Sequence, residues 1–211
     1  MFSINPFAEI SASISPDIMQ WYVIVMALFV AGGTLFDVIH KGSAKYFFQD
    51  AKAKKARARN PLGSSEKASL RIQAIVIDIL TSAEFGMTKR RLAHILTFWG
   101  FTAYIIATVV MVFGYPTPDI ATPAWLPAIW YLGAAMVMVG GYWYWFFMRV
   151  DVAREGNPRL RVVHADMFVV SLVLSVTFGF VWGLTQASGG GGWSNLFLAL
   201  YLLATTLLFA G

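Results

Sequence analysis

The sequence predicts an all-α integral membrane protein, with five transmembrane helices and a cytoplasmic-side amphipathic helix. Three observations carry that expectation. First, the 211 residues are 58% hydrophobic, 16% aromatic and only 13% charged, more apolar surface than one soluble core can hide. Second, all sixteen Lys and Arg residues fall in two stretches, 41–91 and 149–161. Third, the segments outside those stretches contain apolar runs about as long as a bilayer crossing. Cations gathered in this way mark cytoplasmic loops, so the same pattern predicts an external N-terminus and a cytoplasmic C-terminus.

The external N-terminal segment, 1–18, has no Lys or Arg and no small-residue cleavage site after a short apolar core, so it reads as a retained segment, not a signal peptide. The first span covers 19–40 and opens on Trp21 and Tyr22, residues suited to an interface. A basic cytoplasmic loop fills 41–91. Its first part, with Lys52, Lys54, Lys55, Arg57 and Arg59 largely alternating with Ala, reads as a solvated basic helix that ends at a turn at Asn60 and Pro61. Within 66–85, Ile72, Ile75, Val76, Ile79 and Ala83 recur at helical spacing, with Arg71 and Asp78 off that face. That pattern predicts a helix lying along the cytoplasmic surface.

The second span, 92–113, ends in a turn-rich external loop, 114–123, without a cation. The third, 124–148, closes on Tyr142, Trp143, Tyr144 and Trp145 as an aromatic belt beside Arg149. A cytoplasmic loop at 149–161 leads into the fourth span, 162–184, and the Gly-rich external loop 185–193 into the fifth, 194–211. No polar or cationic anchor follows that span, so native sequence is expected to continue past Gly211. The five segments do not divide into matching halves, and almost no polar residue sits at mid-depth, which ranks a solute transporter last.

With no cysteine, the chain can hold no disulfide, catalytic thiol or iron–sulfur cluster on its own side chains. The basic balance reads as a topology signal, not as a nucleic-acid surface. Ionisable residues at the span edges are few: Asp37, His40, His94, His164 and Asp166, all near the basic ends of their helices. A bis-histidine haem needs two imidazoles at similar depth on facing helices, and His94 with either His40 or His164 meets that depth requirement. The competing reading is an interfacial histidine bonded to headgroups. His164 and Asp166, with Arg91, are candidates for a quinone headgroup entering from the inner interface. For Asp166 the structural alternative is a cap or ion pair near Arg161 at the start of the fourth helix. Asp37 sits three residues before His40 and is placed to orient it. The cluster Lys52, Lys54, Lys55, Arg57 and Arg59 suits anionic lipids and an acidic cytoplasmic partner.

The segment Arg90-Arg91-Leu92-Ala93-His94-Ile95-Leu96-Thr97-Phe98-Trp99-Gly100-Phe101 places two cations at the membrane edge and a histidine one turn inside. Gly100 among aromatics leaves room for a flat ring or a neighbouring helix. Together with the preceding surface helix, this segment resembles the second transmembrane helix of the membrane cytochrome b superfamily of the respiratory nitrate reductase gamma subunit. The closest look is to the adenylylsulfate reductase membrane anchor and the membrane subunit of the quinone-interacting oxidoreductase. The likeness extends over roughly residues 66–211, through Gly133 to Gly141 and through Ala165-Asp166-Met167-Phe168 to Thr177-Phe178-Gly179-Phe180.

The resemblance implies haem b with His94 as a ligand, membrane quinone as exchangeable substrate, and cytoplasmic redox enzyme subunits as partners. It also implies the cytoplasmic membrane of a prokaryote. The family's complementary ligands lie on the fifth helix, where Leu200-Tyr201-Leu202-Leu203-Ala204-Thr205 has no histidine. Three explanations stay open: a ligand beyond Gly211, another histidine, or no haem. The expected function is a membrane anchor and electron-transfer subunit linking a cytoplasmic redox enzyme, adenylylsulfate reductase by resemblance, to the quinone pool. Such a subunit is non-catalytic or quinone-reactive. The alternative is a haem-free structural subunit of a larger membrane complex.

Overall fold

A computed structural model describes residues 1–40, 42–57, 63–83 and 88–210. Arg59, the turn at Asn60 and Pro61, the 84–85 end of the expected surface helix and Gly211 lie outside the described residues. All described regular structure is helical, and five helices are long and apolar enough to cross a membrane. The chain is therefore an all-α, multi-pass membrane protein, as its hydropathy predicts.

The described helices are α1 (Pro6–Glu9), α2 (Pro16–His40), α3 (Ser43–Arg57), α4 (Ser64–Gln73), α5 (Thr88–Gly114), α6 (Trp125–Trp143), α7 (Val150–Ala153), α8 (Met167–Ala187) and α9 (Gly192–Ala210). The spans are α2, α5, α6, α8 and α9. Helix α5 starts at Thr88, four residues before the apolar run, because Lys89, Arg90 and Arg91 continue the helix beyond the apolar segment. The surface element runs as α4 and then as a wider π-helical segment, Ala74–Leu80, and leaves helix at Thr81, earlier than the expected 85. The break is local: Ser82 takes a φ of 51°, a left-handed conformation that ends the helix.

Small residues set the closest helix contact. A Cβ on Gly100 would fall 2.7 Å from Met136 Cβ and 2.8 Å from the Gly133 carbonyl, while a Cβ on Gly133 would fall 2.7 Å from the Gly100 carbonyl. About two turns further along α6, Gly140 packs against Thr97 and the Ala93 carbonyl. Helices α5 and α6 thus meet backbone to backbone, the close approach on which membrane helix packing relies. Gly100 accommodates a neighbouring helix, and its space is not open to a ring.

Across this seam the middle of the bundle is filled by aromatics. Tyr104 stacks on Trp130 at 4.9 Å between centroids, and Trp182 stacks on Tyr201 at 5.7 Å. Trp130 Nε1 donates to Thr108 Oγ1 at 2.9 Å, which satisfies the indole inside the core.

At the end opposite the basic loops, the N-terminal segment folds onto the bundle. The buried Asn5 accepts from the Phe7 and Ala8 amides to cap α1, and its Nδ2 donates to the Tyr115 carbonyl at 2.9 Å and to Thr122 Oγ1 at 3.1 Å. Phe7 is thereby held edge-on to Trp130 and Trp182, with centroids at 5.8 and 5.1 Å. Helix α2 stands apart: of its 25 residues only Met19 and Met26 are buried.

Candidate functional site

At the basic end, helices α5, α6 and α8 part to leave a cleft of about 500 Å³. Helix α5 contributes Arg90, His94, Thr97, Phe98 and Phe101, spaced by three and four residues along one face. The opposite walls are Tyr144 and Met148 from α6's continuation and Phe168, Leu172 and Val173 from α8. Residues Tyr144–Met148 form a π-helical turn, closed by the Arg149 amide donating to the Tyr144 carbonyl at 3.0 Å. Tyr144 and Met148, the two wall residues, are the first and last of that widened turn; such turns recur at functional sites. The lining is almost wholly apolar, with Arg90 and His94 exposed on the α5 side.

His94 is positioned from outside its own helix. Its Nδ1 lies 2.8 Å from Ser82 Oγ, and Ser82 is only 1% exposed. Two further bonds secure the same segment: Arg91 Nε donates to the Thr81 carbonyl at 2.8 Å and Trp99 Nε1 to the Leu80 carbonyl at 3.1 Å. The last turn of the surface element has carbonyls with no helical partner, and α5 side chains supply their donors. Phe98 stacks parallel to the imidazole at 6.1 Å.

The structure distributes the other expected site residues differently. Arg91 serves this clamp, and its neighbour Arg90 lines the cleft. Asp166 is ion-paired to Arg149, not to Arg161, and accepts the Val163 amide at 3.0 Å, capping the 3-10 turn His164–Asp166 that leads into α8. Arg149, only 3% exposed, also lies 3.9 Å over the Trp145 ring and donates to the Arg159 carbonyl. The carboxylate thus caps the turn and pairs with a buried guanidinium, the structural alternative, with Arg149 in the place expected for Arg161. His164 is exposed at the start of that turn, and His40 is exposed and stacked on Phe36 at 5.2 Å. Neither of them lines the cleft.

A bis-histidine haem requires two facing imidazoles. The cleft presents His94 alone of the three histidines, so its walls do not fit that group. Among the described residues no group of three or more His, Asp or Glu gathers to hold a metal ion. Lys52, Lys54, Lys55 and Arg57 are all exposed on α3, where Asp50 pairs with Lys54 at 2.7 Å and raises its pKa. Of the cleft's walls, the sequence singled out His94 within the segment 90–101, and offered Arg91 where Arg90 lines the cleft. It missed Ser82 and the α6 and α8 residues, whose only signal was their proximity to the basic ends of their spans.

Fold and site together define a five-helix membrane protein with an apolar cleft opening beside its basic loops. Comparison with protein families, with curated proteins and with solved structures finds no match to this chain.

Proposed function

We propose that this chain is the membrane anchor of a redox complex and receives a membrane quinone in the cleft beside His94. The observation that supports this reading most is the cleft of about 500 Å³, largely apolar, with its two ionisable side chains, Arg90 and His94, on one side. Sites that hold small ligands have this size and this balance of apolar walls with few polar groups. A quinone ring offers a flat apolar face to Phe98 and Phe168 and a carbonyl oxygen to a guanidinium or imidazole N–H. A haem on the chain is not required: electrons pass between the quinone and a centre in a cytoplasmic partner. The resemblance points to adenylylsulfate reductase as that partner. The exposed cations of α3 give an acidic partner or anionic lipid its docking surface. In this reading the basic loops face the cytoplasm.

Equilibrium binding of a short-tail quinone to the chain in lipid nanodiscs tests the proposal. Saturable one-site binding is expected, weakened about 2- to 12-fold in His94→Ala by the loss of one net hydrogen bond. Absence of saturable binding overturns it. A second reading, a haem-free structural subunit, draws on the exposure of α2, whose Leu28, Leu35, Phe36 and Ile39 would pack on other membrane helices. That role predicts no quinone binding at all.

A further inference from the structure

A second cavity, about 340 Å³, lies between α2, α5 and α9, deeper along the bundle than the cleft. Its α5 wall is Phe101, Ile105, Thr108 and Val109, and among the described residues Phe101 is the one that also lines the cleft. The two spaces therefore occupy successive stretches of the same α5 face and abut at a single ring. From Arg90 to Val109 that face rises about 28 Å at 1.5 Å per residue, close to the thickness of the hydrocarbon layer.

Polarity along this path is one-sided. Arg90 and His94 stand at the cleft end. In the deeper cavity three of the four hydroxyl side chains are engaged by the protein itself: Thr108 donates to the Tyr104 carbonyl, Tyr22 bonds the Leu202 carbonyl, and Thr205 pairs with Ser175, while Tyr201 is the fourth. The deeper cavity thus offers a ligand a largely hydrocarbon surface, including Met19, Met26 and Phe209. A polar end and a largely apolar chamber beyond it match one chemical class, a ring or headgroup carrying a long hydrocarbon chain.

We propose that cleft and cavity form one tract for a long-tailed isoprenoid quinone, its head beside His94 and its tail passing Phe101 into the space between α2, α5 and α9. Phe101, whose ring meets Phe209 at 6.4 Å between centroids, is the divider that the tail displaces. The inference rests on the quinone reading above and adds where the tail goes.

Because lipid surrounds the bundle, a tail gains little by moving from hydrocarbon into an apolar cavity, so its position is more telling than its affinity. The test uses the full chain in nanodiscs and two photoreactive quinones, one with an azide on the ring and one with a diazirine at the tail end. Ring adducts are expected on residues 90–101 and tail adducts on 19–30 and 201–209, both suppressed by excess unlabelled long-tail quinone. Ala27→Phe, which fills the deeper cavity, is expected to abolish the tail adducts and leave the ring adducts. Phe101→Ala is expected to keep both. Tail adducts that persist unchanged in Ala27→Phe overturn the proposal, as does a diazirine phospholipid that labels the cavity and resists displacement by quinone. Loss of saturable ring adducts in the unaltered chain instead overturns the quinone reading itself.

Discussion

Ser82 Oγ lies 2.8 Å from His94 Nδ1, tying the turn after the surface element to the imidazole that lines the cleft. Ser82 is, among the described residues, the one non-glycine with a positive φ. Backbone strain of this kind costs about 1–3 kcal/mol and persists where surroundings enforce it. Here Arg91, His94 and Trp99 each hold one of three consecutive residues, Leu80 to Ser82. The bond fixes the ring's orientation, which in turn sets where its other nitrogen points.

Ser82→Gly separates strain from orientation. Glycine accepts the left-handed φ without cost, so thermal stability is expected to hold or rise. Quinone affinity is expected to fall about 2- to 12-fold, the equivalent of one net hydrogen bond. Paired melting curves and binding isotherms check this, and Ser82→Ala should lose affinity and stability together.

The α5–α6 seam predicts a sharp contrast between glycines. Gly133→Ala drives a methyl into the Gly100 carbonyl and the Tyr104 backbone, where neither side can give way. A loss of about 1–3 kcal/mol is expected, the usual cost of overpacking. Gly32→Ala meets nothing within 4 Å and should be neutral or slightly stabilising in a helix. Thermal denaturation in detergent distinguishes the two.

Asp166→Asn is expected to destabilise the chain by about 3–5 kcal/mol, because it leaves the Arg149 guanidinium buried without its counter-charge. Quinone binding by the fraction that remains folded should be unchanged. A folded Asp166→Asn protein that bound no quinone would return the carboxylate to the site. The double change Arg149→Met and Asp166→Leu should recover much of the lost stability, since it removes both charges.

For haem, the expected outcome is an absence. Protein purified after expression with haem available should give no b-type band in a reduced-minus-oxidised spectrum, since the cleft offers one histidine where two facing ligands are needed. A band lost in His94→Ala would establish ligation by that residue.

Much of the fold was legible because hydropathy and charge act locally. Each span is a long run almost free of charge, and the cations sit in the loops and at the span edges, outside the hydrocarbon layer. The site was legible only at His94 on α5; that Arg90, Thr97 and Phe101 share its face became plain with the cleft. Tyr144 and Phe168 join them through the packing of α6 and α8, and such pairing leaves no mark in a hydropathy pattern. Asp166 shows the same limit: a carboxylate at a span edge reads as a proton carrier or a cap, and its partner Arg149, seventeen residues back in sequence, is visible only in the fold. The N-terminal segment has no strong periodicity, yet Phe7 reaches Trp130 and Trp182 because Asn5 pins it to Tyr115 and Thr122. Contacts more than a hundred residues apart in sequence are the part that only the folded chain displays.

A crystal structure of the chain with a short-tail quinone tests the central claim most directly. The account predicts the ring between Phe98 and Phe168, with a carbonyl oxygen within hydrogen-bond distance of His94 or Arg90. A ring bound elsewhere on the bundle, with the cleft beside His94 closed or filled by side chains, would contradict it.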